Sequence, residues 1–265
     1  MGAGGPRLVG VIHLPPLPGS PRAAATVAEV TRSARADAAA LVGAGFDGII
    51  VENFGDAPFF ATRVPDVTIA AMTACVLAVR EAAPDIAVGV NVLRNDAGAA
   101  LAIAHVTGAA FVRVNVHTGA RLTDQGLIEG EAATTLRRRR ELGARVSIWA
   151  DVDVKHSSPL APGSLEQEVE DTALRGLADA ILVTGDGTGK GTPLEKIARV
   201  RRAAGERPVY VASGATRETM RELALACHGI IVGTALRAGG IPGGPIDVEA
   251  ARAFAEAHRS GGTLG

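Results

Sequence analysis

Aromatic residues are scarce in this sequence: they make up 3% of it, with one tryptophan and one tyrosine. The apolar core must therefore be built mainly from Ala, Val, Ile and Leu, which suits parallel strands covered by alanine-rich helices. Cysteine is scarce as well. Cys75 and Cys227 lie far apart in alanine-rich stretches, without the neighbouring ligands of a zinc site. We expect two buried, reduced thiols.

The chain also lacks a charge excess and a long apolar run. Its formal net charge is −1 and its pI about 6.6, so it has no overall basic field that would attract nucleic acid or anionic membranes. No uninterrupted apolar run reaches the length that spans a bilayer, and MGAGGPR precedes only a short one. We therefore predict a soluble, cytoplasmic protein without a signal peptide.

Short runs rich in β-branched residues alternate with alanine-rich segments that have a helical pattern. The predicted strands are Leu8–Ile12, Gly48–Val51, Ala87–Asn91, Phe111–Asn115, Val146–Asp151, Ala180–Thr184, Val209–Ala212 and Gly229–Val232. The predicted helices are about Val27–Ala44, Pro65–Ala83, Asn95–Thr107, Ile128–Leu142, Leu165–Leu177, Pro193–Ala204, Thr216–Ala226 and Asp247–His258. Such alternation is typical of βαβ units. It predicts an α/β protein, a single (β/α)₈ TIM barrel domain over residues 1–265. The alternative, an open doubly wound sheet, would need a glycine fingerprint after the first strand, where HLPPLPGSPR stands instead.

The glycine-rich stretch TGDGTGKGTP is not a nucleotide-binding P-loop. Thr184 stands where G-x-x-x-x-G-K-[ST] needs its first glycine, and Gly191 follows the lysine. The position of the stretch after the sixth strand predicts a lid over the barrel mouth. We expect Thr184 and Asp186 to lie near the substrate and Lys190 to close onto a ligand phosphate.

Active sites of (β/α)₈ barrels lie at the carboxyl ends of the strands. In the run ADVDVKH, strand periodicity places Asp151, Asp153 and Lys155 on one side. Two carboxylates and an ammonium group in one line shift one another's pKa and suit general acid–base chemistry or a nucleophilic lysine. Glu52 ends the second strand. We predict that these four residues are catalytic; the alternative for the fifth strand is a structural ion pair.

Other polar side chains at the strand ends are predicted to bind the substrate. They are His13, Asn53, Asn91, Arg113, Asn115, His117 and His156. Arg113, Asn115 and His117 share one strand face, so they either hold a hydroxylated ligand or satisfy the neighbouring carboxylates. The alternative for His13 is a hydrogen bond to a neighbouring loop. Arg94 follows the third strand and receives no role.

The seventh and eighth strands end in ASGAT and VGTAL. In many such barrels, backbone N–H groups of small residues and a following helix N-terminus bind phosphate here. We predict that Ser213, Gly214, Gly233 and Thr234 form a phosphate site. The alternative is a pair of tight turns.

Several loops in order resemble a known family. The stretches are VGVIHLPPLPGSPR, DGIIVENFGDAPF, VNVLRND, FVRVNVHTGA, ADVDVKHSSPL and ILVTGDGTGK. From about residue 8 to 240 the chain resembles the BtpA/SgcQ family. This resemblance implies a ribulose-phosphate-binding type of barrel. It also implies either a role in photosystem I biogenesis, with which the cyanobacterial namesake is associated, or an enzyme of sugar or nucleoside metabolism. It assigns no catalytic residue.

Two classes of function remain. The first is an enzyme that uses acid–base chemistry on a phosphorylated sugar or nucleoside-like molecule, either at an N-glycosidic bond or in isomerisation or aldol chemistry. The second is a non-catalytic assembly factor, which would need an exposed apolar patch or an amphipathic membrane helix. The expected partner is a small phosphorylated molecule rather than nucleic acid. No cofactor is predicted; a divalent metal at Glu52 and Asp151 and a homo-oligomer stay open.

Overall fold

The predicted strands close into a parallel barrel. The computed structural model describes residues 5–185 and 191–261. The barrel strands are β1 (Leu8–His13), β2 (Gly48–Glu52), β3 (Ala87–Asn91), β4 (Phe111–Val114), β5 (Ser147–Val152), β6 (Ala180–Val183), β7 (Val209–Val211) and β8 (Gly229–Val232). Each strand pairs with the next, and β1 pairs with β8 to close the cylinder. The predicted (β/α)₈ TIM barrel is therefore confirmed.

A helix follows each strand. The helices are α1 (Val27–Ala44), α2 (Asp66–Ala82), α3 (Ala97–Thr107), α4 (Ala132–Glu141), α5 (Leu165–Glu170), α6 (Leu194–Ala204), α7 (Met220–Ala226) and α8 (Val248–Gly261). A capping box starts α1: the Thr26 hydroxyl accepts from the Glu29 backbone N–H, and the Glu29 carboxylate accepts from the Thr26 N–H. Gly45 ends this helix with a left-handed φ of 98°. Among the described helices, none has the length and apolar character needed to cross a membrane.

Three of the eight aromatic residues, Phe111, Trp149 and Tyr210, stack inside the barrel. Trp149 stacks on Phe111, with 3.9 Å between ring centroids, and on Tyr210, with 4.2 Å. Glycines on other strands provide the room: a Cβ on Gly89 would lie 2.2 Å from the Phe111 ring, and one on Gly229 would lie 2.5 Å from the Tyr210 ring. The interior is thus a packed core, as is usual for this fold. The two cysteines are buried and free, as predicted.

Gly89→Ala is expected to lower the free energy of unfolding by about 1–3 kcal/mol, because its methyl group would overlap the Phe111 ring in a packed interior. Urea denaturation measures the change. Gly43→Ala is the matched control, since a Cβ there meets no atom within 4 Å. A Gly89→Ala/Phe111→Leu variant should lose less stability than the sum of the two single changes. Strict additivity would contradict this packing explanation.

The chain between β4 and α4 differs from the prediction. A helix is predicted from Ile128, but Gly126–Glu129 is a strand and α4 begins at Ala132. This strand pairs with Ala120–Thr123, which also pairs with Ser157–Pro159. We call this three-stranded antiparallel sheet the rim sheet.

Packing explains why the rim sheet replaces the predicted helical turn. Ile128 is fully buried in a cluster with Val116 and Val154, which come from distant parts of the sequence. Gly126 supplies a left-handed φ of 92° at the hairpin turn. A local helical pattern carries no information about such partners.

Two further predicted helices are shorter than expected. The α-helical part of α5 gives way to a π-helical turn at Asp171–Arg175. Helix α7 begins at Met220 rather than Thr216. Hydrogen bonds between Thr216 and Thr219 form a turn before it, in which each hydroxyl accepts from the other residue's backbone N–H.

Candidate functional site

A cavity of about 510 Å³ opens at the carboxyl ends of the barrel strands. The predicted site residues that line it are His13, Glu52, Arg113, Asn115, Lys155, His156, Ser213, Gly214, Gly233 and Thr234. Two parts of its lining differ in their chemistry. Glu52, Arg94, Arg113 and Lys155 form what we call the charged wall. Residues 213–216 and 233–235, from the loops after β7 and β8, form the glycine wall.

Asp151 lies behind the charged wall, not in the cavity lining. Its carboxylate accepts two hydrogen bonds from Arg113, Nε to Oδ2 at 2.9 Å and Nη2 to Oδ1 at 3.0 Å. Asn115 Nδ2 donates a third, to Oδ2, at 2.9 Å. The Asp151 side chain has no exposed surface. The contacts of Asp151, which is predicted to be catalytic, thus hold two cavity-lining side chains in place.

The expected common face of Asp151, Asp153 and Lys155 is not formed. Strand β5 ends one residue before Asp153, which adopts a left-handed φ of 46° and breaks the alternation. The Asp153 carboxylate accepts from Arg121 Nη2 at 2.8 Å and from Lys196 Nζ at 2.7 Å. Burial alone would raise the pKa of Asp153, but these two cations lower it. Asp153 therefore forms the structural ion pair that was the alternative, and it ties the rim sheet to α6.

Glu52 and Lys155 both line the cavity. Within residues 5–185 and 191–261, neither the Glu52 carboxylate nor the Lys155 ammonium makes a hydrogen bond or a close ion pair. Burial raises the pKa of Glu52, and nearby Arg113 only partly offsets that shift. Burial, followed by repulsion from Arg113, lowers the pKa of Lys155. Both shifts favour the neutral form of each group.

His13 ends β1 and joins the two walls. Its ring stacks on Phe54 with 4.3 Å between centroids, and Nδ1 accepts from the Gly243 backbone N–H at 3.4 Å. Burial and the charge of Arg237 lower its pKa to about 3, so the ring is neutral at pH 7. Its proton then resides on Nε2, which lies 3.4 Å from where a Cβ on Gly233 would stand. His13 thus has the loop contact that was the alternative to its predicted role in substrate binding, and also a hydrogen-bond donor beside the glycine wall.

The glycine wall presents mainly backbone and small side chains. Gly214 has a left-handed φ of 71°, and Thr234 begins a single 3₁₀ turn. The Ser213 hydroxyl accepts from the Gly185 backbone N–H at 2.9 Å, so it anchors the loop after β6. Close approach of a ligand to this wall is possible because few side chains stand in the way.

Two predicted substrate-binding residues, Asn53 and Asn91, lie outside the cavity lining. The Asn53 side-chain oxygen accepts from the Leu93 backbone N–H at 2.7 Å. Asn91 Nδ2 donates to the Asn115 side-chain oxygen at 3.2 Å. Both residues therefore hold cavity-lining residues in place without lining the cavity themselves.

His117 and Thr184 also make supporting contacts outside the lining. His117 Nε2 donates to the Gly176 carbonyl at 2.8 Å. Thr184 Oγ1 donates to the Asp153 carbonyl at 3.1 Å. His156 does line the cavity, from an exposed position with a left-handed φ of 59°. Asp186 and Lys190, the other two lid residues, lie outside the described residues.

Arg94 is the functional candidate that sequence reasoning leaves without a role. Its side chain lines the cavity, the residue is 9% exposed, and Nη2 donates to the Lys155 carbonyl at 2.9 Å. The available signal is a basic residue three positions after the end of β3, within VNVLRND. For metals, no cluster of three or more His, Cys, Asp or Glu side chains suited to an ion occurs in the described ranges.

The closed barrel and the cavity at its mouth, whose lining includes charged side chains, define the class: a TIM barrel with a candidate site at the strand ends. The native KDPGal structure superposes with a TM-score of 0.60 at 16% identity, covering 97% of this chain and 96% of its own. Phosphoribosyl anthranilate isomerase in complex with reduced 1-(O-carboxyphenylamino)-1-deoxyribulose 5-phosphate gives 0.55 at 13% identity, covering 96% and 98%. At such identities the likeness concerns the fold.

The chain belongs to the BtpA family, whose sequence profile matches residues 6–260. The photosystem I biogenesis protein BtpA of Synechocystis sp. is 46% identical over 256 residues, covering 96% of this chain and 88% of its own. An uncharacterized protein of Pyrococcus furiosus is 44% identical over 245 residues, covering 92% of each chain. The family resemblance seen in the loop sequences is thereby confirmed.

Proposed function

We propose that this protein is an enzyme that performs acid–base chemistry on a phosphorylated sugar in the cavity at the barrel mouth. The observation that carries the proposal is the pair Glu52 and Lys155, two ionisable groups that face one cavity without partners among the described residues. Buried charges that serve stability are ordinarily paired. Burial also moves both pKa values toward neutrality, where proton transfer is most effective.

The glycine wall suits the phosphate group of the ligand. Backbone N–H groups at Gly214 and Gly233 and the Thr234 hydroxyl are available to an anion, as in many barrels of this class. His13 Nε2 adds a neutral donor beside them. A structural neighbour bound to a deoxyribulose 5-phosphate is in keeping with such a ligand.

The charged wall would then perform the chemistry on the sugar carbons. Protonated Glu52 can donate to a carbonyl or hydroxyl oxygen, and neutral Lys155 can take a proton from carbon or oxygen. Arg113, fixed by Asp151, orients the ligand oxygens. Cleavage of a glycosidic bond ordinarily uses two carboxylates at the substrate, whereas only Glu52 of the three candidate carboxylates lines this cavity. The arrangement therefore favours isomerisation or aldol-type proton transfer over N-glycosidic cleavage.

Gly233→Asp is expected to weaken the binding of sugar phosphates by about 100-fold or more, because a carboxylate would stand where the phosphate binds. A Cβ on Gly233 would meet its nearest neighbour, His13 Nε2, at 3.4 Å, which is an ordinary contact distance. Titration calorimetry with ribulose 5-phosphate and sorbitol 6-phosphate measures the change. Gly43→Asp is the control. It adds the same charge near the C-terminal end of α1, where a Cβ meets no atom within 4 Å. Unchanged affinity of Gly233→Asp for these ligands would show that the phosphate does not bind at the glycine wall.

The kinship with a photosystem I biogenesis protein supports a second candidate, a non-catalytic assembly factor. Three exposed leucines on or beside the rim sheet offer it a contact surface: Leu122, Leu127 and Leu160 are 53%, 49% and 59% exposed. Complementation of a deletion strain separates the two functions. A Glu52→Gln/Lys155→Met variant complements if the protein acts only as an assembly factor and fails to complement if it is an enzyme.

A further inference from the structure

The cations of the charged wall outnumber its acids. Arg113 is neutralised by Asp151, which leaves Arg94 and Lys155 facing Glu52. When Glu52 and Lys155 are in the neutral forms that the proposed proton transfer uses, Arg94 is the one uncompensated charge of this wall among the described residues. The charged wall therefore favours binding of an anionic group, in addition to the phosphate expected at the glycine wall.

Arg94 is the clearest sign of this surplus. The residue is 9% exposed, yet its guanidinium donates its hydrogen bond to the backbone carbonyl of Lys155 and not to a carboxylate. In the part of the chain that the structure describes, no carboxylate lies within ion-pair distance of its guanidinium. Burial lowers the pKa of Arg94, and the more distant charge of Asp151 only partly offsets that shift. A nearly buried guanidinium without a counter-ion is costly unless a ligand supplies one.

We propose that the ligand carries a carboxylate, which Arg94 and Lys155 bind while its phosphate occupies the glycine wall. The substrate class is then the phosphorylated sugar acids. This inference rests on the proposed function and narrows it.

A carboxylate fits this end better than a second phosphate does. The planar guanidinium fork of Arg94 matches the two oxygens of a carboxylate, and the Lys155 amino group adds a hydrogen-bond donor. With Glu52 and Lys155 neutral, a monoanion balances the charge of Arg94, whereas a phosphate dianion leaves a net negative charge. A carboxylate beside Glu52 also favours its protonated form, which is the form needed to donate a proton.

Calorimetric titration with matched probes tests the proposal. 6-Phosphogluconate and sorbitol 6-phosphate share a carbon chain and a phosphate and differ at C1, a carboxylate against a CH₂OH group. We expect the wild-type protein to bind the first about 10- to 100-fold more tightly, as for a charge-assisted hydrogen-bond pair. Gluconate, which lacks the phosphate, should bind more weakly than either. 5-Phosphoribonate and ribitol 5-phosphate repeat the comparison for a shorter chain.

Arg94→Gln should abolish the preference for the acid and leave the affinity for sorbitol 6-phosphate unchanged. Glutamine keeps an N–H donor for the Lys155 carbonyl, and retained binding of sorbitol 6-phosphate shows that the variant is folded. Arg63→Gln is the control: it removes the same charge from the mouth side of the barrel, where the Arg63 side chain is 83% exposed. The preference should survive there.

Each other outcome overturns a different claim. If the wild-type protein binds both members of each pair with equal affinity, the proposal that the ligand carries a carboxylate is wrong, and the proposed function is unaffected. Tighter binding of fructose 1,6-bisphosphate than of 6-phosphogluconate assigns a second phosphate instead. Equal weakening of both phosphorylated probes by Arg94→Gln makes Arg94 a structural residue. Binding of neither phosphorylated pair overturns the proposed function itself.

Discussion

Asp151→Ala is expected to lower the free energy of unfolding by about 3–5 kcal/mol, the usual effect of removing one partner of a buried ion pair. The Arg113 side chain is 7% exposed and would lose its counter-charge and two hydrogen bonds. Asn115 would lose the acceptor of its Nδ2 group as well. Urea denaturation at pH 7 measures the loss through the shift of the midpoint.

Two variants control for this effect. Arg252→Ala removes one partner of a pair whose side chains are 61% and 83% exposed, and it should change stability by less than about 1 kcal/mol. Arg113→Met/Asp151→Leu replaces the buried pair with apolar groups and should be far less destabilised than Asp151→Ala. A loss of under about 1 kcal/mol in Asp151→Ala would show that Arg113 does not depend on Asp151.

The barrel could be predicted because its signals are local and repeated. The predicted bounds of two strands, Ala87–Asn91 and Gly229–Val232, match the structure. Helix α1 is matched as well, since Thr26, Glu29 and Gly45 mark its ends with capping signals that a sequence displays directly. Repetition of such units along the chain leaves closure into a barrel as the simplest arrangement.

The rim sheet and the turn at Asp153 could not be predicted, because they depend on distant partners. Ile128 is buried by Val116 and Val154, and Arg121 binds Asp153 from 32 residues away. Strand alternation assumes that the extended backbone continues beyond β5. The left-handed φ of Asp153 ends that alternation.

The sequence predicts which strand ends meet at the candidate site. It does not predict which of the carboxylates there has a hydrogen-bond partner. Glu52 and Asp151 look equivalent in the sequence, since each stands at or near the end of a barrel strand. The structure separates them: Asp151 accepts hydrogen bonds from Arg113 and Asn115, whereas Glu52 faces the cavity. Arg94 illustrates the same limit, because whether a carboxylate lies beside it can be judged only in three dimensions.

Glu52→Gln should have the opposite effect on stability from Asp151→Ala. Burial raises the pKa of Glu52 above its ordinary value of 4.5, so the folded protein binds this proton more tightly than the unfolded chain. The contribution of Glu52 to stability is then complete below pH 4.5 and is lost as the pH rises through the folded-state pKa. At neutral pH the wild-type protein carries a penalty that glutamine removes. We expect a gain of about 0.5–2 kcal/mol, as is common when a strained active-site group is replaced.

The pH dependence makes this prediction specific. The difference in unfolding free energy between Glu52→Gln and the wild-type protein should be smallest below pH 4.5 and should grow as the pH rises. The same variant should lose about 10²- to 10⁴-fold in kcat on any phosphorylated sugar that the wild-type protein converts, because it lacks the acid. Stability and activity therefore move in opposite directions.

Asp151→Asn is the matched comparison, since it makes the same carboxylate-to-amide change at the carboxylate that has partners. It should destabilise the protein, because an amide cannot accept both Arg113 hydrogen bonds and offers no charge to the guanidinium. If Glu52→Gln also destabilises the protein, or if its effect does not vary with pH, Glu52 is a structural counter-ion of the charged wall. The proposal that it is the acid would then be wrong. Opposite signs would identify Glu52 as a group held at a cost to stability, for which proton transfer to a ligand is the physical reason.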